Sequence, residues 1–218
     1  MSTTYTSTGA TATHQLTQAS LIRLLQIGSP LLTALLSGLS LSTSTLLVPR
    51  LLESPSPLML KQWHATFTQG RNTIVPLSGA AAAGFAFLAY TLRNAGSVGG
   101  SNKARAYLLS AALCVGIVPY TVVVMMPTNL KLMKKMEEME LYGTVNGKAK
   151  EVNVVVEGRD ISERDVEEVL EEAAQLQRQQ AREQERGAKQ LVDHWATLNL
   201  GRTAFLAIAA VVGLSVSL

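Results

Sequence analysis

Three side chains suited to binding a small molecule share one helical face just ahead of the last apolar segment of the chain. Trp195, Asn199 and Arg202 are spaced at i, i+4 and i+7, so an α-helix presents their ring, carboxamide and guanidinium on one side. The uncharged segment that follows, residues 203–218, is shorter than the about 20 residues that cross a bilayer. A span here must therefore include Arg202 and Asn199, and polar groups so placed are expensive and usually functional. The spacing predicts a binding site between helices.

Other polar and aromatic residues stand at the ends of other apolar segments. They are Trp63, His64, Asn129 and His194. The two histidines, with Asp193, would supply at most three metal ligands, and we expect no metal site here.

Structural roles are open for the same residues. Trp63 and Trp195 are each placed as a tryptophan of a membrane-interface belt would be. Arg202 could extend its guanidinium to lipid headgroups, and Asn129 could cap a helix. The two histidines could be solvated at the interface. The convergence of all these residues at one end of the molecule favours a site over any single structural role.

The elements that must hold these residues are membrane-spanning helices. The chain has 218 residues, of which only 16% are charged, against about 25% in average soluble proteins. Residues 24–49, 72–92 and 106–130 carry no charge, and each is long enough to cross the bilayer as a helix. With the C-terminal segment they predict an all-α, integral membrane four-helix bundle that has a charged extramembrane insert between spans three and four.

The sequence also predicts how the rest of the chain is organised. We expect residues 1–23 to form a disordered tail, residues 24–130 and 194–218 to form the bundle, and residues 131–193 to form an extramembrane loop with helical segments. Pro49 and the Ser-Pro repeat at residues 54–57 are expected to end the first span.

Local patterns refine three segments. Residues 58–71 are amphipathic and are expected to lie along the interface before the second span. The Asn146-Gly147 turn signal predicts a small hairpin that includes residues 152–156. The sequence SERD at residues 162–165 resembles a capping box and predicts the start of a further helix.

The alternating direction of four spans brings the candidate residues to one membrane face. Lysine and arginine near the spans are denser on that face, so the positive-inside rule favours a cytoplasmic location for it, with both chain termini opposite. We expect an internal membrane such as the endoplasmic reticulum. The net charge of +3, without a basic stripe interleaved with aromatic residues, argues against nucleic acid as a partner.

Three short motifs resemble the small tetraspan anthrone oxygenases of fungal aromatic polyketide pathways. They are WHATFTQGRNTIVP at residues 63–76, PTNL at residues 127–130 and, most specific, WATLNLGR at residues 195–202. The resemblance implies oxidation of an anthrone to an anthraquinone by O2 as co-substrate, without an organic cofactor. The insert between residues 142 and 185 departs from the compact loop that the resemblance implies.

The resemblance also suggests roles for the candidate residues. His64 or His194 would remove a proton from the substrate, and Arg202, with Asn199 and Asn129, would hold the resulting enolate oxygen. The rings that would stack on the flat polycycle are Trp63, Phe67 and Trp195. The expected partners are an aromatic polyketide substrate, the lipid bilayer and other enzymes of the same pathway. The alternatives are a non-catalytic membrane scaffold and a carrier of an aromatic metabolite.

Overall fold

The computed structural model describes residues 7–94, 98–149 and 163–217, and these are helical except for a turn at residues 53–55. No strand occurs in these ranges. The helices are α1 (Ser7–Ser42), α2 (Val48–Leu52), α3 (Ser56–Asn94), α4 (Val98–Tyr120), α5 (Met126–Ala149) and α6 (Glu163–Ser217). Two π-helical turns, π1 (Thr43–Leu47) and π2 (Thr121–Met125), join α1 to α2 and α4 to α5.

Four helical segments are long and apolar enough to cross a membrane, so the chain is a multi-pass membrane protein. They are Gln18–Leu52, Ser56–Asn94, Gly100–Met139 and Arg178–Ser217. Each contains one of the spans predicted from the uncharged stretches, which confirms the all-α fold with four spans.

The four spans pack as a ring. α1 packs on α3 and α6, and α4 packs on the same two helices from the opposite side. One end of the bundle holds a cluster of buried residues contributed by all four spans, among them Val48, Trp63, Met125 and Trp195. This end carries the candidate residues and is called the motif end below. A second cluster, around Phe85 and Tyr107, fills the opposite end.

Hydrogen bonds between α1 and α6 fix their antiparallel register. Ser217 Oγ donates to the Gln26 carbonyl at 2.9 Å, and Ser37 Oγ donates to the Thr203 carbonyl at 3.2 Å. Small hydroxyl residues let two helices approach closely and bond across the interface in a membrane. The register sets the depth of α6 against α1 and therefore the position of Arg202.

Both π turns come just before a proline. π1 is followed by Pro49 and π2 by Pro127, each two residues beyond the turn. A proline lacks the backbone N–H and its ring clashes with the carbonyl four residues earlier, so the helix widens there instead of ending. In π1 the Val48 N–H bonds to the Thr43 carbonyl, five residues back. The prediction that Pro49 ends the first span is therefore wrong: the helix continues to Leu52.

Helices also extend further than the sequence suggested. Helix α1 begins at Ser7, so the segment expected to be a disordered tail is helical from that residue on. Helix α3 is continuous, without a separate interfacial helix before the second span. A long apolar helix lowers the cost of extension, because each added residue gains a hydrogen bond without a new nucleus.

In the described part of the insert, the helices also extend further than the sequence suggested. Helix α5 runs to Ala149 through the Asn146-Gly147 pair, so no hairpin turn forms there. Residues 152–156 and Ser162 of the expected capping box lie outside the described residues. Helix α6 runs from Glu163 into the fourth span without a break.

Candidate functional site

A groove of about 270 Å³ lies at the motif end, between the α1–π1 segment and α3, with α6 behind it. Its lining residues are Leu39, Thr43, Leu47, Thr66, Phe67, Gln69, Gly70, Thr73, Ile74, Trp195 and Arg202. Its volume is slightly below the about 300–1,000 Å³ of typical ligand pockets, so the groove can hold only a small molecule or part of a larger one. Its lining is mostly apolar, with one cation.

Three aromatic rings form one side of the site. The Trp63 ring stacks on Phe67 with centroids 5.5 Å apart and an angle of 9° between planes. Trp195 meets Trp63 edge to face at 6.0 Å. Phe67 and Trp195 line the groove, while Trp63 is fully buried between them. These flat, rigid surfaces suit a planar aromatic ligand.

Arg202 is the cation of the groove. It is 7% exposed, and no hydrogen bond or ion pair to it occurs among the residues that the structure describes. The sequence explains this, because α6 carries no acidic residue after Asp193 and residues 1–136 contain only Glu53. Glu53 instead pairs with the exposed Arg50 at 3.6 Å. A buried guanidinium without an acid is costly unless an anion or a polar ligand joins it.

Other polar atoms near the groove also lack partners. The indole nitrogens of Trp63 and Trp195, the Nε of Arg202 and both amide atoms of Asn129 are buried without a hydrogen bond in the described part of the chain. Buried groups of this kind are usually satisfied, so each one needs an explanation. For Trp195 and Arg202, which line the groove, a ligand that carries oxygen atoms would supply one.

Asn129 faces the aromatic cluster from α5. The helical spacing of i, i+4 and i+7 puts Asn129 on the same face as Met125 and Leu132. Those two side chains pack in the cluster that contains Trp63 and Trp195. Asn129 is fully buried on the same face. It lies four residues after π2 and two after Pro127, so it follows the widened turn by about one helical turn.

Asn199 is already engaged in helix packing. Its Nδ2 donates to the Ser40 carbonyl at 3.0 Å and to Ser44 Oγ at 2.9 Å, while its Oδ1 accepts a bond from Ser40 Oγ at 3.4 Å. Thr203 Oγ1 adds a bond to Ser40 Oγ at 3.0 Å. Both amide protons of Asn199 are therefore committed, and it does not line the groove. It locks α6 onto α1 at the π1 turn, one helical turn before Arg202.

The two histidines lie outside the groove. His194 is exposed and His64 is half-buried, and each is adjacent in sequence to a tryptophan of the site. Successive residues of a helix point about 100° apart, so the neighbour of a buried tryptophan faces elsewhere. The structure thus brings together Trp63, Phe67, Trp195 and Arg202 and leaves both imidazoles aside.

Several groove residues were not predicted as site residues. Thr66, Gly70 and Thr73 line it from α3, and Thr43 lines it from π1. Gly70 follows Phe67 by three residues and so shares its helical face, and Thr66 lies one turn before Gly70; this spacing was the available signal. Thr43 carried no such signal, because its position depends on the π turn.

Comparison with known proteins assigns the family. Residues 63–212, more than half of the chain, match the family model described as Anthrone oxygenase. The chain belongs to the anthrone oxygenase family. No curated protein and no solved structure matched it. The matched region begins at Trp63 and contains every predicted site residue.

The anthrone oxygenase match leaves the insert and the site in one continuous region. It spans α3 from Trp63 onward, α4, π2, α5 and α6 up to residue 212, and so includes two of the three segments that line the groove, α3 and α6. The α1–π1 wall lies before it. Within the described ranges, no group of three histidine, cysteine, aspartate or glutamate side chains is placed to hold a metal ion.

Proposed function

We propose that this protein oxidises an anthrone to an anthraquinone with O2 in the groove between α1 and α3. The observation that carries the proposal is Arg202, a buried cation without an acidic partner, set beside the rings of Trp195 and Phe67. The family assignment supports the reaction class, and a flat aromatic ligand with a carbonyl oxygen fits the chemistry of the lining.

The proposed chemistry begins with ionisation of the substrate. The carbon opposite the anthrone carbonyl carries two hydrogens, and loss of one as a proton gives an enolate whose charge rests largely on the oxygen. A guanidinium in an apolar groove stabilises that charge far more than water does, because the local dielectric constant is low. Arg202 would therefore increase the acidity of the bound substrate.

Oxygen then completes the reaction. The enolate gives one electron to O2, the two radicals combine at the ring carbon, and a proton converts the peroxide anion to a hydroperoxide. Loss of water leaves the new carbonyl of the anthraquinone. One oxygen atom enters the product and the other leaves as water, so the balance requires no organic cofactor.

The proton acceptor differs from the one that the sequence favoured. Since neither His64 nor His194 lines the groove, we propose that water at the groove mouth takes the proton once Arg202 has made the substrate acidic. A general base typically contributes about 10²–10⁴-fold to the rate. Under this proposal His64→Gln and His194→Gln each retain more than about a tenth of the wild-type rate.

A groove-filling substitution tests the location of the reaction. Gly70 lines the groove, and a Cβ built on it meets no atom within 4 Å, so the side chain of Gly70→Leu has room to begin and would extend into the groove. Gly79 lies on the same helix with equally open surroundings but outside the groove, so Gly79→Leu is the matched control.

The measurement is O2 uptake and quinone formation by purified protein in detergent, with metal analysis of the same sample. We expect kcat/KM to fall by at least about tenfold in Gly70→Leu, with an unchanged melting temperature, and to stay at the wild-type value in Gly79→Leu. Equal rates in both variants would place the reaction elsewhere. Wild-type protein that consumes no O2 would instead favour a scaffold or a carrier.

A further inference from the structure

A second and larger groove lies at the end of the bundle opposite the motif end. It has a volume of about 500 Å³ and runs between the last turns of α3 and the first turns of α4. Its lining residues are Ala86, Ala89, Tyr90, Arg93, Ser101, Ala104, Arg105 and Leu108. None of them takes part in the proposed oxidation.

Two guanidiniums line this groove without a counter-ion. Arg93 comes from α3 and Arg105 from α4, and neither forms an ion pair within the described ranges. The sequence leaves them no nearby acid, because residues 54–136 and 194–218 contain no aspartate or glutamate. No aspartate or glutamate side chain of these residues can therefore neutralise the groove.

Other cations reinforce the field at this end. Arg23 lies on α1 between Ile22 and Leu25, which pack on the cluster around Phe85, and Lys103 lies on the first turns of α4. All the acidic side chains of the chain belong to Glu53 and to residues 137–193, which are attached to the motif end. The two ends thus differ in charge, and the end with the second groove is purely basic in its side chains.

The walls of the second groove are apolar below the cations. The apolar wall consists of three alanines and a leucine, which are Ala86, Ala89, Ala104 and Leu108. The exposed Tyr90 also lines the groove. Tyrosine is enriched at the level of lipid headgroups. A polar rim above an apolar wall at this level fits an amphiphile that has an anionic head and a hydrocarbon tail.

We propose that the second groove binds one anionic phospholipid, whose phosphate lies between Arg93 and Arg105 and whose acyl chain follows the alanine wall. Guanidinium groups bind phosphate oxygens in a bidentate manner. The volume holds a headgroup and the first part of a chain, and the rest of the lipid stays in the bilayer. Free phosphate shares the head chemistry but would leave the alanine wall uncovered.

The experiment measures lipid binding to the full chain in detergent micelles. Phosphatidylglycerol, phosphatidylcholine and inorganic phosphate are titrated separately, and melting temperature and native mass spectra are recorded. About 0.5 M salt screens general surface attraction, since the Debye length is then well below 10 Å. The test variant is R93Q/R105Q. The control is R23Q/K103Q, which removes the same charge from residues that do not line the groove.

We expect saturable stabilisation of the wild type by phosphatidylglycerol, and weaker effects of phosphatidylcholine and phosphate. Half-saturation should weaken roughly 25-fold in R93Q/R105Q, about fivefold for each arginine, and less than about threefold in the control. Equal weakening in both variants, or no weakening in either, would overturn the site. A response to inorganic phosphate equal to that of the lipid would overturn the lipid as occupant. Oxidation of anthrone should be unaffected in both variants.

Discussion

The guanidinium of Arg202 is the residue on which the proposed chemistry depends. It is buried beside aromatic rings, and residues 1–136 and 194–218 contain no acidic side chain except the exposed Glu53. In an apolar environment an unpaired cation is unfavourable, and an enolate oxygen would remove that cost while the substrate ionises. The same cost explains why Arg202 is a better candidate for chemistry than the exposed cations.

Asn199 has a different task, although it shares a helical face with Arg202. Its amide joins the Ser40 carbonyl and Ser44 Oγ across the α1–α6 interface. Its role is therefore to position α6 and, through it, the arginine one turn later. The role of an oxyanion donor, which the sequence suggested for Asn199, remains untested, but its two protons are already donated.

Substitution of Asn199 separates these roles. Asn199→Ala removes three bonds across helices, each worth about 0.6–1.7 kcal/mol in a membrane, so we expect about 2–5 kcal/mol less stability. Ser44→Ala, the control, removes one bond and should cost about 0.6 kcal/mol. Unfolding in detergent, with kcat measured on the folded fraction, checks this. An Asn199→Ala protein of normal stability that has lost its turnover would contradict the positioning role.

The sequence predicted that Trp195, Asn199 and Arg202 share one helical face. It did not predict that Asn199 joins two helices while the other two residues line the groove. Spacing of i, i+4 and i+7 identifies a face whatever it contacts. The partners of Asn199 lie on π1 and α1, 155 and 159 residues away in sequence, and no local pattern indicates them. His64 and His194 were grouped with the site because their neighbours are tryptophans, yet the helical turn points them elsewhere.

At the level of the element, the π turns shape the motif end. Each widens a span just before a proline, and each is close to a polar residue of the site. Asn199 bonds to Ser44 within π1, and Asn129 follows π2 by four residues. π turns inside α-helices often occur at functional sites. The prolines are evident in the sequence, but a proline is compatible with a kink, a helix end or a π turn. The π turns therefore could not be predicted from the prolines.

Close packing of α6 on α4 gives a test at this scale. A Cβ at Gly201 would overlap the Tyr120 hydroxyl, which donates to the Leu198 carbonyl at 2.8 Å. Gly201→Ala should therefore destabilise the protein by about 1–3 kcal/mol, as overpacking does.

Gly187→Ala on the same helix is the control, because a Cβ there meets nothing within 4 Å. It should be neutral or stabilising by up to about 1 kcal/mol through helix propensity. Thermal unfolding in detergent compares the two variants. Equal melting temperatures would show that α6 and α4 are further apart at Gly201 than described.

For the whole molecule, the four spans were predictable because charge is confined to the segments between them. Uncharged runs of at least 21 residues identify three spans directly. The insert was less predictable: its charged residues suited a helix or a loop, and the Asn-Gly pair suggested a hairpin turn. The structure continues α5 through that pair, since a local turn signal competes there with extension of an existing helix.

We propose that the motif end faces the cytoplasm, as the positive-inside rule favours. The single native cysteine, Cys114, is buried, so an introduced cysteine reports its own location. In sealed microsomes, a membrane-impermeant maleimide should label Lys61→Cys at the motif end directly and Lys103→Cys only after detergent is added. The reverse pattern would invert the orientation and leave the site unchanged.

The central claim is that Arg202 makes the bound substrate acidic, and anaerobic spectroscopy tests it most directly. Purified protein is mixed with an anthrone without O2, the enolate absorbance is followed against pH, and O2 is then admitted. Wild-type protein should ionise the substrate at a lower pH than free solution does, and then consume O2. Arg202→Gln should abolish that shift and reduce kcat by about 10²–10³-fold, while the exposed control Arg50→Gln should retain both. An unchanged shift and rate in Arg202→Gln would contradict the account.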